Sequence, residues 1–423
     1  MLSYTFYYDI FLHTTPRRIY LESFISVILL KSIDCLERRG VKMEIGGETF
    51  AQKFDLFTCM QCGKCTGGCT VSLKSPLNVR RMMREALIRE SSDVVLTMKE
   101  LWDCTTCGTC TSRCPRGLDP AEVIIAMRGI LIEEGRGVPK TIMEALESTV
   151  KNGNPWGRSR MKRTEWLQDF DQEVKDLTDG KSAELLAFIG CTPSYDPRVQ
   201  EVARAFVRVF NAAGVDYGIL GTEESCCGSE MHAMGEEGLF EMLVEENLEL
   251  FNEFEITKMV TISPHCYNAF SNKYSEYGDV NFEVKHYTQF LVDLIDEDRL
   301  KLTKELGKVV TYHDPCYLGK HNSIFDEPRK VLEAIPGITF VEMDRSRERS
   351  LCCEGGGGMM WNEGAEGERT AVVRVRDAAE QGAEIIAVAC PFCMLTLEDA
   401  VKTAGYEGQI EVKDILELLS ESL

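Results

Sequence analysis

Leu185-Leu186-Ala187-Phe188-Ile189-Gly190-Cys191 is an unbroken apolar run that ends on a glycine and a cysteine. An uncharged run of this length, closed by a turn residue, reads as a strand. The chain repeats the arrangement at Lys308-Val309-Val310-Thr311-Tyr312, ahead of Cys316. A second pair of strand-like runs also recurs, Lys258-Met259-Val260-Thr261-Ile262 before Cys266 and Ile385-Ile386-Ala387-Val388-Ala389 before Cys390. Cys191, Cys226-Cys227 and Cys266 are thus answered by Cys316, Cys352-Cys353 and Cys390, at offsets of 125, 126 and 124 residues. A fixed offset at three markers indicates a duplicated domain. Helical stretches follow the strands, at Arg198 to Ala213 and Pro328 to Ala334. Each copy is therefore expected to be an α/β unit with parallel strands. Loops leaving the strand C-termini then gather the cysteines at one sheet edge.

The rest of the composition narrows the class. A chain of 423 residues suggests two or three domains, and 44% apolar with 27% charged residues is ordinary globular composition. A net charge of −21 argues against nucleic-acid binding, which needs a basic face, and leaves docking on a basic protein open. Eighteen cysteines in so long a chain, without a recognisable signal peptide, point to metal or cluster ligands in a reducing, cytoplasmic compartment. The best apolar stretch, Phe24 to Leu30, is too short to span a bilayer and is flanked by Glu22 and Lys31. Residues 1–42 carry no motif. They read as an optional N-terminal extension before a second start at Met43, or as an amphipathic segment for a partner or membrane surface; Cys35 reads as a free thiol.

Two dense cysteine groups precede the repeat: Cys59-x2-Cys62-x2-Cys65-x3-Cys69 and Cys104-x2-Cys107-x2-Cys110-x3-Cys114-Pro115. This is the two-cluster ferredoxin spacing, in which the fourth cysteine of each run serves the other cluster. Cys59, Cys62, Cys65 and Cys114 are assigned to one [4Fe-4S] cubane, and Cys104, Cys107, Cys110 and Cys69 to the other. Structural zinc needs only two CxxC pairs. The 34 residues between Cys69 and Cys104 hold an amphipathic helix over Val79 to Arg89 and a short helix over Met98 to Trp102, and a third helix runs from Pro120 to about Glu134. The expectation is an α-helical ferredoxin domain over 43–150. A linker over 151–182 follows, then α/β domains over 183–305 and 306–423. The linker carries Arg158, Arg160, Lys162 and Arg163, read as a solvated or acid-paired cluster or as a positive rim beside an anionic substrate or cluster.

The second repeat offers five thiols, Cys316, Cys352, Cys353, Cys390 and Cys393, where a cubane needs four. Adjacent cysteines suit a more open cluster or a bridging thiolate; alternatively one of the five is a redox-active thiol. Gly355 to Gly358 lack the Lys-Ser/Thr of a phosphate loop, and no dinucleotide fingerprint follows a strand.

Leu101-Trp102-Asp103-Cys104-Thr105-Thr106-Cys107-Gly108-Thr109-Cys110, closing with Cys114-Pro115-Arg116-Gly117, and Cys316-x35-Cys352-Cys353-x36-Cys390-x2-Cys393 resemble the D-type subunit of heterodisulfide reductase and the wider family with cysteine-rich CCG domains. The resemblance covers roughly residues 50–405 and implies an α+β multidomain fold, a two-[4Fe-4S] ferredoxin domain fused to a duplicated CCG domain. It implies a noncubane [4Fe-4S] cluster on the five second-repeat cysteines, fed by the two cubanes and splitting a disulfide in two one-electron steps. His313 and His321 flank that motif as candidate proton donors or structural hydrogen-bonding residues. The first repeat departs from the family pattern with Cys266-Tyr267-Asn268-Ala269. Its Cys191, Cys226, Cys227 and Cys266 either hold a further cluster, with His265 as a weaker ligand, or hold none.

The function expected is a disulfide or heterodisulfide reductase subunit of anaerobic metabolism, acting on a small-molecule or protein disulfide. The alternative is a non-catalytic electron-transfer subunit of a flavin dehydrogenase (lactate, glycolate or glycerol-3-phosphate type) or another low-potential complex. Both readings imply redox partners, a flavoprotein or a membrane cytochrome b-type subunit, through which any membrane association would arise.

Overall fold

The computed structural model describes residues 44–45, 48–88, 95 and 97–423. The expected extension over 1–42, Cys35, Met43 and Arg89, the expected end of a helix, lie outside the described residues.

The described N-terminal portion opens with a hairpin, β1 (Glu44–Ile45) antiparallel to β2 (Glu48–Thr49). The helix Val79–Ile88 buries Val79, Met82, Met83 and Ala86 and leaves Arg80, Arg81 and Arg84 exposed, as its spacing requires. Where a short α-helix is expected from Met98, the chain makes a 3₁₀ turn, Lys99–Asp103. Five residues that must end at Cys104 hold only the tighter i→i+3 bonds. The helix Pro120–Glu133 begins on an Asp119 cap, whose carboxylate accepts from Ala121 N at 2.9 Å and Glu122 N at 3.2 Å. Apolar on nearly every side, it is buried for most of its length.

The two repeats fold as the duplication implies. The first sheet has the order β3-β5-β4-β6-β7, with β3 (Lys175–Asp176), β4 (Leu185–Phe188), β5 (Tyr217–Ile219), β6 (Lys258–Thr261) and β7 (Glu283–His286). The second runs β11-β10-β8-β9, with β8 (Lys308–Tyr312), β9 (Ile338–Phe340), β10 (Ile385–Val388) and β11 (Glu411–Asp414). Every pair in both sheets is parallel. Omitting β3, the two orders are the same. The chain reverses its winding between β4 and β6, and again between β8 and β10, and these are the crevices where such sheets place their sites. The segment expected as a linker is built into the first half: Trp166 is buried in its core, and β3 is the edge strand beside β5.

The halves pack as a pseudo-two-fold pair. The helix Gln200–Ala212 of the first lies against Ile415–Ser422 of the second, and Tyr287–Asp296 lies against Asp326–Glu333. Tyr287 Oη donates to Asp414 Oδ1 across this seam at 2.8 Å, and Arg198 Nη1 reaches Glu417 Oε1 at 2.7 Å. A third junction is made by one cation. Arg128, fully buried in the helix Pro120–Glu133, donates to the carbonyls of Leu101 (2.8 Å), Cys104 (2.6 Å), Ala233 (2.7 Å) and Gly357 (3.2 Å). It thus fastens the ferredoxin-like segment to both α/β halves. Among the described residues no helix is long and apolar enough to cross a membrane.

Arg128→Met should leave these carbonyls short of donors and cost about 3 kcal/mol or more, read as a lowered urea midpoint of the anaerobic protein. Asp414 gives a pH signature. Burial raises its carboxyl to about 8, against the Leu416 amide and the Tyr287 hydroxyl that favour the charge. Between about pH 4 and 8 the folded chain then holds a proton that the unfolded chain releases, so stability falls as pH rises, by up to about 1.4 kcal/mol per unit. Asp414→Asn should flatten that slope between about pH 5.5 and 7.5; an unchanged slope would place the titration elsewhere.

Candidate functional site

Seventeen cysteines are described, and all are unpaired by disulfide. They fall into four sulfur sets. Set A is Cys59, Cys62, Cys65 and Cys114, which line one small cavity of about 30 Å³ together with Arg80 and Met83. Set B is Cys69, Cys104, Cys107 and Cys110, close enough that their charges act on one another. Set C, from the first half, is Cys191, Cys226, Cys227 and Cys266, which line a cavity of about 40 Å³ with Trp156, Trp361 and Phe392. Set D is Cys316, Cys352, Cys353, Cys390 and Cys393, none more than 8% exposed, with the Cys353 and Cys393 sulfurs 3.2 Å apart.

The backbone is shaped for these sulfurs. In each CxxCxxC loop the residue before the second cysteine is left-handed, Gln61 at φ 55° and Thr106 at φ 51°, and so is the glycine after it. After each Cys-Cys pair the next residue is left-handed too, Gly228 at φ 79° and Glu354 at φ 67°. These turns aim amides at sulfur: Thr106 N at Cys104 (3.4 Å), Gly228 N at Cys226 (3.4 Å) and Glu354 N at Cys352 (3.3 Å). Charge agrees with this. Burial pushes the Cys104 thiol up to about 12, although Arg128 opposes it. Contact with Cys352 and burial push Cys107 up, and contact with Cys226 and burial push Cys191 up. Sulfurs this crowded resist ionising together, yet amides point at them as at anions. A cationic iron–sulfur core satisfies both conditions, so the donor sets fit such clusters.

Sets B and D touch. Cys107 packs with Cys316, Tyr317 and Cys352, and Cys352 Sγ lies 3.4 Å from Thr105 Oγ1. Lys320 Nζ donates to Thr109 Oγ1 and the Ser350 carbonyl, both at 2.7 Å, and His321 Nε2 donates to the Thr106 carbonyl at 2.9 Å. A Cβ on Gly357, which sits at φ +67°, would stand 2.5 Å from the Cys104 carbonyl, so this approach requires glycine.

The histidines divide by charge. His313 lies with Cys353 and Cys393, and Arg374 Nε donates to its Nδ1 at 3.3 Å; burial and that guanidinium hold it neutral, down to about 3. Burial also lowers His321. Neither is an imidazolium near neutrality, which favours their hydrogen-bonding role over that of charged proton donor. His265 lines the set C cavity but reaches Cys390 of set D; its Nδ1 lies 3.0 Å from Glu230 Oε1, and its ring stacks on Tyr317 at 4.0 Å. Burial opposes its charge, but Cys390 and Glu230 outweigh burial and raise it, while Cys390 is drawn toward thiolate. His232 is raised to about 9, because Glu122 and Glu237 overcome its burial. It lines a cavity of about 160 Å³ with Glu122, Lys273, Thr106, Tyr317 and His321.

Of the basic cluster at 158–163, Arg158 and Lys162 are exposed, but Arg163 is buried. It pairs with Glu224, whose carboxylate accepts from Gly190 N at 2.9 Å, and its Nη atoms lie 3.9 Å from Cys191 Sγ. Sequence reasoning missed Arg128, Glu230 and Tyr317. For Arg128 a signal existed, a lone cation inside the apolar run Val123 to Ile132.

A ferredoxin-like segment placed against two cysteine-lined α/β crevices defines an iron–sulfur oxidoreductase. Comparison with known proteins agrees. A family described as a cysteine-rich domain, CCG, matches residues 185–271 and 310–398, and one described as a 4Fe-4S dicluster domain matches 55–118. The D-type subunit of dihydromethanophenazine:CoB–CoM heterodisulfide reductase from Methanosarcina barkeri is 31% identical, over 92% of this chain and 99% of that protein. The EtfAB:quinone oxidoreductase of Syntrophomonas wolfei is 34% identical over 87% of this chain, and a Bacillus subtilis protein named "Probable iron-sulfur-binding oxidoreductase FadF" is 32% identical over 88%. This chain spans only 58% and 60% of those two relatives. The chain belongs to the CCG-domain iron–sulfur oxidoreductase family that includes the heterodisulfide reductase protein of Methanosarcina.

Cys114→Ser tests the crossed grouping. It should remove the cluster of set A and leave that of set B, so that one reduced-cubane signal disappears from the EPR spectrum and iron content falls. Loss of set B instead would overturn the grouping.

Proposed function

We propose that this chain is a heterodisulfide reductase-like subunit that delivers electrons one at a time to set D, where a disulfide is reduced. In this reading sets A and B hold [4Fe-4S] cubanes, the five sulfurs of set D hold a noncubane [4Fe-4S] cluster, and set C holds a further cluster. The observation that carries it is the packing of Cys107 against Cys352, which puts the ferredoxin-like segment in direct contact with the five-cysteine set. When bound, the clusters supply one-electron redox capacity and, at set D, iron with affinity for sulfur.

The chain's own residues do the rest. Arg128, Lys320 and His321 hold the two loops together through carbonyl and hydroxyl oxygens. Reducing a disulfide consumes two electrons and two protons and gives two thiols. A cavity of about 160 Å³ meets set D only through Tyr317, which packs with Cys316 and Cys352 and separates it from those sulfurs. In this reading His232 on the wall of that cavity, raised to about 9 by Glu122 and Glu237, supplies one of the protons.

A second reading, an electron relay without a substrate of its own, is favoured by the burial of all five set D sulfurs. The names of the Bacillus and Syntrophomonas relatives lean the same way. Its partner would be a flavoprotein or a membrane subunit.

EPR of the anaerobic, oxidised protein with and without added thiols separates the two. A paramagnetic oxidised signal that shifts with a particular thiol supports the reductase. Signals from reduced cubanes alone, insensitive to every thiol tried in fully loaded protein, support the relay.

A further inference from the structure

Set A is the sulfur set that reaches the surface. Cys62 is exposed, and Phe57 and Met60, on either side of Cys59, are 69% and 63% exposed. Around this apolar spot the sign of the surface inverts. Lys64, Arg80, Arg81, Arg84, Arg113 and Arg116 are all exposed, while Asp55 is the one exposed acid among the described residues of 49–118, in a chain whose net charge is −21. Lys64, Arg80 and Arg116 border the set A cavity itself, and the Arg113 side chain lies against Gly68.

These cations serve no evident structural end. Some exposed cations elsewhere are paired, as in Lys308 with Glu384 at 2.8 Å or Arg376 with Glu368 at 2.7 Å, and others, such as Lys301 and Lys402, stand singly. Among the described residues none of the six makes such a pair. Arg80 and Arg84 stand i,i+4 on one helix, and Arg81 and Arg84 i,i+3, where like charges cost stability. A surface that keeps unpaired, mutually repelling cations around an exposed apolar centre is suited to an acidic partner.

We propose that this face docks an electron-carrier protein whose redox centre is ringed by acidic side chains. The basic rim steers the carrier, and Phe57 and Met60 exclude water at the point of closest approach to Cys62. A membrane surface fits less well. The helix Val79–Ile88 turns Val79, Met82, Met83 and Ala86 inward and exposes only Ile88 at its last position, so it has no continuous apolar face to insert among lipids. Net charge alone leaves a basic partner open, but it says nothing of local charge, which here is basic. It rests on reading set A as a cluster site. That reading fails by a separate measurement, an unchanged iron content in Cys114→Ser.

The test is titration calorimetry of the anaerobic, cluster-loaded protein with two probes, an acidic flavodoxin and an acidic plant-type ferredoxin. The variant is the double charge reversal Arg81→Glu, Arg84→Glu, at exposed positions that do not line the sulfur cavity. Binding of at least one probe at low salt is expected, weakened about tenfold or more by the variant and by raised salt, with iron content and reduced EPR signal unchanged. Binding of neither probe, or binding indifferent to the reversal, overturns the proposal. Retention of the wild type but not the variant on phosphatidylglycerol vesicles, without carrier binding, also overturns it and assigns the face to a membrane.

Discussion

The arrangement depends on Arg128. A guanidinium with no access to water must direct its donors at protein oxygens, and a buried cation without partners would be far costlier than any single hydrogen bond is favourable. Here the partners are carbonyls from the ferredoxin-like segment, the first α/β half and the second. Three pieces of chain that are remote in sequence are held at one point, and that point lies against the Cys104 backbone. The close approach at Gly357 and the packing of Cys107 on Cys352 follow from this junction. Propensity within any one segment would not produce them.

Duplication explains the two crevices, and divergence explains why they differ. Both halves wind in the same strand order, so both bring a cysteine from each of two adjacent strand ends to the point where winding reverses. The second half keeps a fifth sulfur, Cys393. The first has Ala269 in its place and turns neighbouring residues to another use: His265, next to Cys266, reaches across to Cys390, with Glu230 behind it. One copy of the repeat has thus become part of the wall and the charge balance of the other.

The fold and the candidate site are legible in the sequence where chemistry imposes spacing. A CxxCxxC loop, a Cys-Cys pair and a strand running into cysteine are local patterns, and the fold draws the sulfurs of each into a common cavity or junction. The parallel α/β duplication is legible for the same reason, since the offset repeats at strands and cysteines alike. What lies beyond reach is long-range. In sequence Arg163 is one of several linker cations, because its burial depends on Glu224, 61 residues away. His313 and His321 are equivalent in sequence, yet their surroundings are set by Arg374, which no motif contains, and by the carbonyl of Thr106, in a motif 215 residues away. The apolar spacing of Lys99–Asp103 suits α-helix and 3₁₀ turn alike, and only the constraint of ending at Cys104 decides between them.

Those long-range partners share a pattern. Each buried sulfur set has a buried or nearly buried cation set against it: Arg128 acts on Cys104 of set B, Arg163 on Cys191 of set C, and His265 on Cys390 of set D. Set A, at the surface, has solvated arginines and water instead. The difference follows from dielectric. Adding an electron to a buried sulfur-ligated centre adds negative charge where water cannot screen it, and only a fixed positive charge nearby offsets that cost. One buried cation facing each buried set meets that requirement, while the chain as a whole stays acidic. The net charge of −21 and these three cations are compatible because they belong to different places, the solvated outer faces and the sulfur-lined junctions. Removing any one internal cation would accordingly act first on the set it faces, and on the whole only through that set.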